Sequence, residues 1–119
     1  MKKTLVIHPK DSSTDFLKEI YKEKDWTIET NCSTSHSVRK ELIKNHDRII
    51  MMGHGTPAGL LNVKHWGYII DHSYVDLLRQ KECVFIWCNA DVFVESYNLK
   101  GLYSGMVISE VGEAAMFRI

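Results

Sequence analysis

The amino-acid sequence predicts an α/β fold, a three-layer α/β/α sandwich around a mainly parallel sheet of about five strands. Three observations carry that expectation. Short apolar runs alternate along the chain with segments of helical spacing. The run at residues 83–87 is apolar throughout, as a strand covered on both faces requires. The 119 residues contain neither a repeat nor a linker, so residues 1–119 read as one domain.

The elements follow in order. Residues 4–8 read as a short buried strand. Ser12 can cap a helix, with Asp15 three residues on and Phe16, Leu17, Ile20 and Tyr21 at helical spacing. Residues 26–30 alternate apolar and polar, as an edge strand does. Ser35 or Ser37 can cap a helix carrying Val38, Leu42 and Ile43. Arg48 to Met52 is a second buried strand, residues 74–80 a short helix around Val75 and Leu78, and residues 83–87 the next strand. Asp91 can cap a helix through Val92 and Tyr97. Residues 106–109 close the sheet, and residues 113–117 form a last helical turn. Right-handed crossovers and a switch point give the strand order 2-1-3-4-5. One segment breaks the alternation. After Gly55 the runs 59–63 and 67–71 predict a β-hairpin inserted behind the third strand.

Composition narrows the function. Lysine plus arginine equals aspartate plus glutamate, at 15 each, which argues against nucleic acid as the main partner. No apolar stretch approaches the roughly 20 residues of a membrane span. The segment after Met1-Lys2-Lys3 falls short of the roughly 7–15 apolar residues of a signal peptide, so a cytoplasmic location is expected. The three cysteines, Cys32, Cys83 and Cys88, form no CxxC pair and no disulfide framework.

The chemistry centres on Gly53-His54-Gly55, directly after an apolar strand. A phosphate loop fits poorly there, because a hairpin rather than a helix N-terminus follows the glycines. The six histidines form no metal-binding helix pair, so no metal and no cofactor is expected. Nucleophilic catalysis fits better. His54 and Cys88 end consecutive strands, and open α/β sheets carry their sites on that carboxyl rim. A neighbouring histidine can generate the thiolate and later protonate the leaving amine. The flanking glycines let backbone amides approach an oxyanion.

The chain resembles the caspase-like, clan CD cysteine peptidase fold, including its CHAT-type members. Three motifs carry the resemblance. An apolar strand ends in His-Gly, here Ile49-Ile50-Met51-Met52-Gly53-His54-Gly55, with a hairpin after it. A second apolar strand ends at the nucleophile, here Val84-Phe85-Ile86-Trp87-Cys88. A late strand and turn, Met106-Val107-Ile108-Ser109-Glu110, leads to small residues. The resemblance implies His54 as general base and acid, Cys88 as nucleophile and Gly55 as an oxyanion amide. A peptide or protein substrate would lie near Asn89, Asp91, Ser109 and Glu110. Bulky Trp87 departs from the small residue the family places there, so one residue of register decides whether Cys88 or Asn89 faces His54. Relatives continue beyond the point matched by Ile119, which implies a minimal or inactive member, or a homodimer through an open sheet edge.

Three functional readings follow. The first is a cysteine peptidase using the His54/Cys88 dyad. The second is a silent caspase-like domain binding a partner protein or small ligand in the same cleft, lined by Trp66, Tyr68, Trp87 and Tyr103. The third is a flavodoxin-like domain binding a nucleotide or similar anion at the first turn, His8-Pro9-Lys10-Asp11-Ser12-Ser13.

Overall fold

A computed structural model describes residues 2–65 and 67–104. Five strands form one parallel sheet: β1 (Thr4–Ile7), β2 (Thr27–Glu29), β3 (Arg48–Met52), β7 (Glu82–Ile86) and β8 (Leu102–Ser104), in the order β2-β1-β3-β7-β8. This is the order 2-1-3-4-5 that the sequence predicts. The last strand lies earlier than expected, at Leu102–Ser104, and the anticipated strand at 106–109 and turn at 113–117 fall outside the described residues.

Alternation along the strands builds two cores. Leu5, Ile7, Ile49, Met51, Phe85 and the following Trp87 pack with Ile43 of α1 (His36–Lys44), Val75 and Leu78 of α2 (Val75–Leu78) and Phe93 of α3 (Ala90–Ser96). Val6, Ile50 and Met52 point the other way, onto Leu17 and Tyr21. Each large side chain so buried contributes about 1.5–3 kcal/mol. β1 and β3 are buried on both sides, where strands with no polar face are stable.

Several caps differ from expectation. The first helix is a 3-10 helix, Ser12–Ile20, capped by Asp11 and not by Ser12. The Asp11 carboxylate accepts from the Ser13 amide at 3.3 Å, a charge-assisted bond that the Ser12 hydroxyl does not match. Ser35 is the cap of α1, its Oγ accepting from the Val38 amide at 3.3 Å. The expected helix at 74–80 is a 3-10 turn, His72–Tyr74, capped by Asp71, running into the four-residue α2. Asn89 precedes α3 in place of Asp91, which sits in the helix's first turn. The fourth sheet strand ends at Ile86, so Trp87 already lies in the turn.

The inserted hairpin is present and larger than predicted. β4 (Gly55–Thr56), β5 (Gly59–Asn62) and β6 (Gly67–Ile70) form a small antiparallel sheet. Pro57 and three nearby glycines deny this stretch a helix. Arg39 of α1 ties it to the main body. Arg39 is 2% exposed, and its guanidinium donates to the carbonyls of Ile69 at 3.2 Å and Thr34 at 2.7 Å. No helix among the described residues is long and apolar enough to cross a membrane.

Candidate active site

β3 and β7 run in register with Met52 opposite Ile86, and the Gly53 amide continues the ladder by donating to Ile86 O at 3.1 Å. His54 and Cys88 therefore follow the last paired residues of neighbouring strands by the same two positions, on one rim of the sheet. β1 lies on the other side of β3, so the loop after Ile7 reaches the same rim. Chain direction across the sheet changes at this place, where open α/β sheets form their crevices.

That third loop supplies the first partners of His54. Nε2 of His54 lies 2.8 Å from Oδ2 of Asp11 and 2.6 Å from Oγ of Ser13. The Ser13 hydroxyl is also 2.8 Å from Oδ2 of Asp11. With Asp11 ionised, these distances suit one arrangement of protons. An ionised carboxylate only accepts, so the short contact requires a hydrogen on Nε2. Ser13 Oγ accepts from the same N–H and gives its own hydrogen to Asp11. In neutral His54 the lone pair then resides on Nδ1, which has no hydrogen-bond partner among the described residues. The Ser13 hydroxyl bond, then the Ser13 amide and His54, hold the Asp11 carboxyl below the usual carboxylate range.

Ser13 is no nucleophile in this arrangement. A serine-histidine-aspartate relay needs the serine and the carboxylate on opposite ring nitrogens. Here both share Nε2, and the serine hydroxyl donates to a carboxylate of weakened basicity. The same geometry bears on the first turn as an anion site. Its helix N-terminus is already capped by the Asp11 carboxylate, whose charge repels a phosphate.

The turn after β7 assigns a task to each of its residues. Trp87 is fully buried, stacks edge-on against Phe93 at 5.3 Å and donates from Nε1 to Thr56 O at 3.0 Å. It belongs to the core and lines no cleft, contrary to expectation. Cys88 is half-buried and forms no hydrogen bond among the described residues. Asn89 is exposed and adopts the left-handed conformation at φ 64°, where asparagine is better tolerated than most residues. Its carbonyl accepts from Val92 at 3.1 Å, starting α3. Asp91 is half-buried in the helix's first turn.

Gly55 has a reason the sequence did not disclose. A Cβ on it would lie 2.0 Å from Cδ1 of Trp87, so the indole fills the place of a side chain. The Leu61 amide donates to His54 O at 2.8 Å, and Gly55 pairs with Leu60. Antiparallel bonding alternates, so the Gly55 N–H turns away from β5.

Tyr68 is tied to Thr56 through its hydroxyl at 2.9 Å, and Tyr103 is 47% exposed on the edge strand β8. Ser109, Glu110 and Trp66 lie outside the described residues. Among the described residues no group of three or more His, Cys, Asp or Glu side chains is gathered for a metal ion. Asp11 and Ser13 are partners of His54 that the sequence reading does not find. The strand order holds the signal, since placing strand 1 beside strand 3 brings their following loops together. Comparison with family models, with curated proteins and with solved structures found no match.

Proposed function

We propose that this chain is a small cytoplasmic caspase-like domain, a three-layer α/β/α sandwich, that acts as a cysteine peptidase with Cys88 as nucleophile and His54 as its base. The observation that carries this reading is the Asp11 carboxylate on Nε2 of His54 at 2.8 Å. A carboxylate there fixes the ring, selects the tautomer with a basic Nδ1 and stabilises the imidazolium formed when the thiol proton is taken. A histidine serving only as a turn residue has no need of such a partner.

In the proposed reaction His54 Nδ1 takes the Cys88 proton and the thiolate attacks the scissile carbonyl carbon. The C=O electron pair moves to oxygen, and the Gly55 N–H, free of the β4–β5 ladder, donates to that oxyanion. Collapse breaks the C–N bond, and His54 returns the proton to the leaving amine. Water, deprotonated by His54, then cleaves the thioester and restores the thiol.

The test is hydrolysis of a fluorogenic peptide library by the full chain. The expected result is turnover that Cys88→Ala and His54→Ala abolish and that Ser13→Ala only reduces. Equal, absent turnover in all variants, with unchanged folds, favours the second reading, a silent domain that binds a peptide or protein partner on the same rim.

A further inference from the structure

At the opposite end of the sheet from the rim, the strand starts border an open cavity of about 590 Å³, whose lining includes Lys2, Lys3, Thr4, Asp25, Trp26, His46 and Arg48. That volume is in the range of small-molecule sites, roughly 300–1,000 Å³. Three features of the lining and the residues beside it point to a ligand.

The first is a polar group left unpaired. Thr4 is 4% exposed, and its Oγ1 has no hydrogen-bond partner among the described residues. Buried hydroxyls without a partner carry a desolvation penalty that a ligand atom would relieve. The second is His46, 7% exposed, whose Nδ1 lies 2.6 Å from Leu42 O. A carbonyl oxygen only accepts, so Nδ1 bears the hydrogen and Nε2 of the neutral ring is an acceptor. Nε2 has no partner among the described residues. Thr4 and His46, each with a polar atom unused, thus both line this cavity.

The third is the pairing of charge with an aromatic face. Lys24 Nζ sits 5.8 Å from the centroid of the half-buried Trp26 ring. Lys3 forms no ion pair among the described residues, while Arg48 and Lys2 share Glu82. Asp47 is engaged by the Lys3 amide at 2.8 Å. Among the charged lining residues, Lys2, Lys3 and Arg48 stand against Asp25 alone. An indole face beside ammonium and guanidinium groups matches a planar ring carrying an anion.

We infer that this cavity binds a free nucleoside phosphate, its base against Trp26, its phosphate on Lys3 and Arg48, and its sugar hydroxyls on Thr4 and His46. The proposal is independent of the rim chemistry, which uses none of these residues. Calorimetric titration of the full chain with adenosine monophosphate tests it, with adenosine and inorganic phosphate as separate arms. The expected result is binding at least tenfold tighter for the nucleotide than for either part. Trp26→Ala and Lys3→Ala should each weaken it about tenfold, and Trp26→Phe should restore most of the former loss. Lys3 is exposed, so its variant keeps the test decisive if Trp26→Ala does not fold. Nucleotide binding no tighter than phosphate alone, or unchanged by Lys3→Ala, overturns the proposal.

Discussion

The Asp11 carboxylate lies 2.8 Å from Nε2 of His54, joining the loop after β1 to the loop after β3. The contact fixes the ring by its remote nitrogen and leaves Nδ1 as the basic atom. Asp11→Asn keeps the shape and removes the charge. In the proposed peptidase this lowers kcat by roughly 10²–10⁴-fold with a small change in KM, in line with general-base contributions and loss of an orienting carboxylate. Steady-state kinetics on a peptide substrate give the comparison, and a full-rate Asp11→Asn enzyme would remove Asp11 from the mechanism.

Gly55 and Trp87 form a second pair whose dependence can be measured. Cδ1 of the indole lies 2.0 Å from the point a Cβ on Gly55 would occupy, so Gly55→Ala forces either the ring or the β4 backbone to move. Overpacking of this kind costs about 1–3 kcal/mol, and a clash this close belongs at the upper end. Trp87→Leu alone opens a cavity and is also destabilising. The double variant should be less destabilised than the sum of the two, by at least about 1 kcal/mol in urea unfolding. Strict additivity would mean that the glycine is there for another reason.

The three cysteines differ in accessibility. Burial, with help from Glu82, pushes the Cys83 thiol up to about 12, and Cys32 is buried. Only Cys88 is half-exposed. Iodoacetamide at neutral pH should therefore modify Cys88 first in the folded chain, with Cys83 reacting only after denaturation. Peptide mapping by mass spectrometry reads this directly. Modification of Cys83 at the rate of Cys88 would show that β7 opens readily.

His8 gives the fold a pH dependence of its own. It is 3% exposed, with Nδ1 2.7 Å from Tyr21 Oη and Nε2 3.2 Å from Thr14 Oγ1. Burial lowers its pKa, so the folded state favours the neutral ring. An unfolded chain then binds a proton more readily, below a pH of about 6.5. Stability from this site is complete above that value and is lost as pH falls towards the lower folded-state value. His8→Asn should flatten the decline in urea midpoint below about pH 6.5; an unchanged slope would place its origin elsewhere.

The sheet was legible because its strands need no context. Residues such as Ile49, Ile50, Met51 and Met52 are apolar on both sides of the pleat and can only be interior. Strand order followed from chain handedness, and the inserted hairpin from Pro57 and its glycines. Less was legible where neighbours distant in sequence decide. Asp11, rather than Ser12, became the cap because the same carboxylate also holds Ser13 and His54. Trp87 reads as a cleft aromatic until Gly55 and Thr56 fold over it. The role of Asn89 depended on a left-handed φ that composition does not display.

The proposed chemistry rests on His54 acting on Cys88. The rate of Cys88 alkylation as a function of pH, compared between the native chain, His54→Ala and Asp11→Asn, measures that coupling without any assumption about substrate. The expected result is alkylation at neutral pH that is fastest in the native chain, slowest in His54→Ala and intermediate in Asp11→Asn. Identical profiles in all three proteins would contradict the dyad.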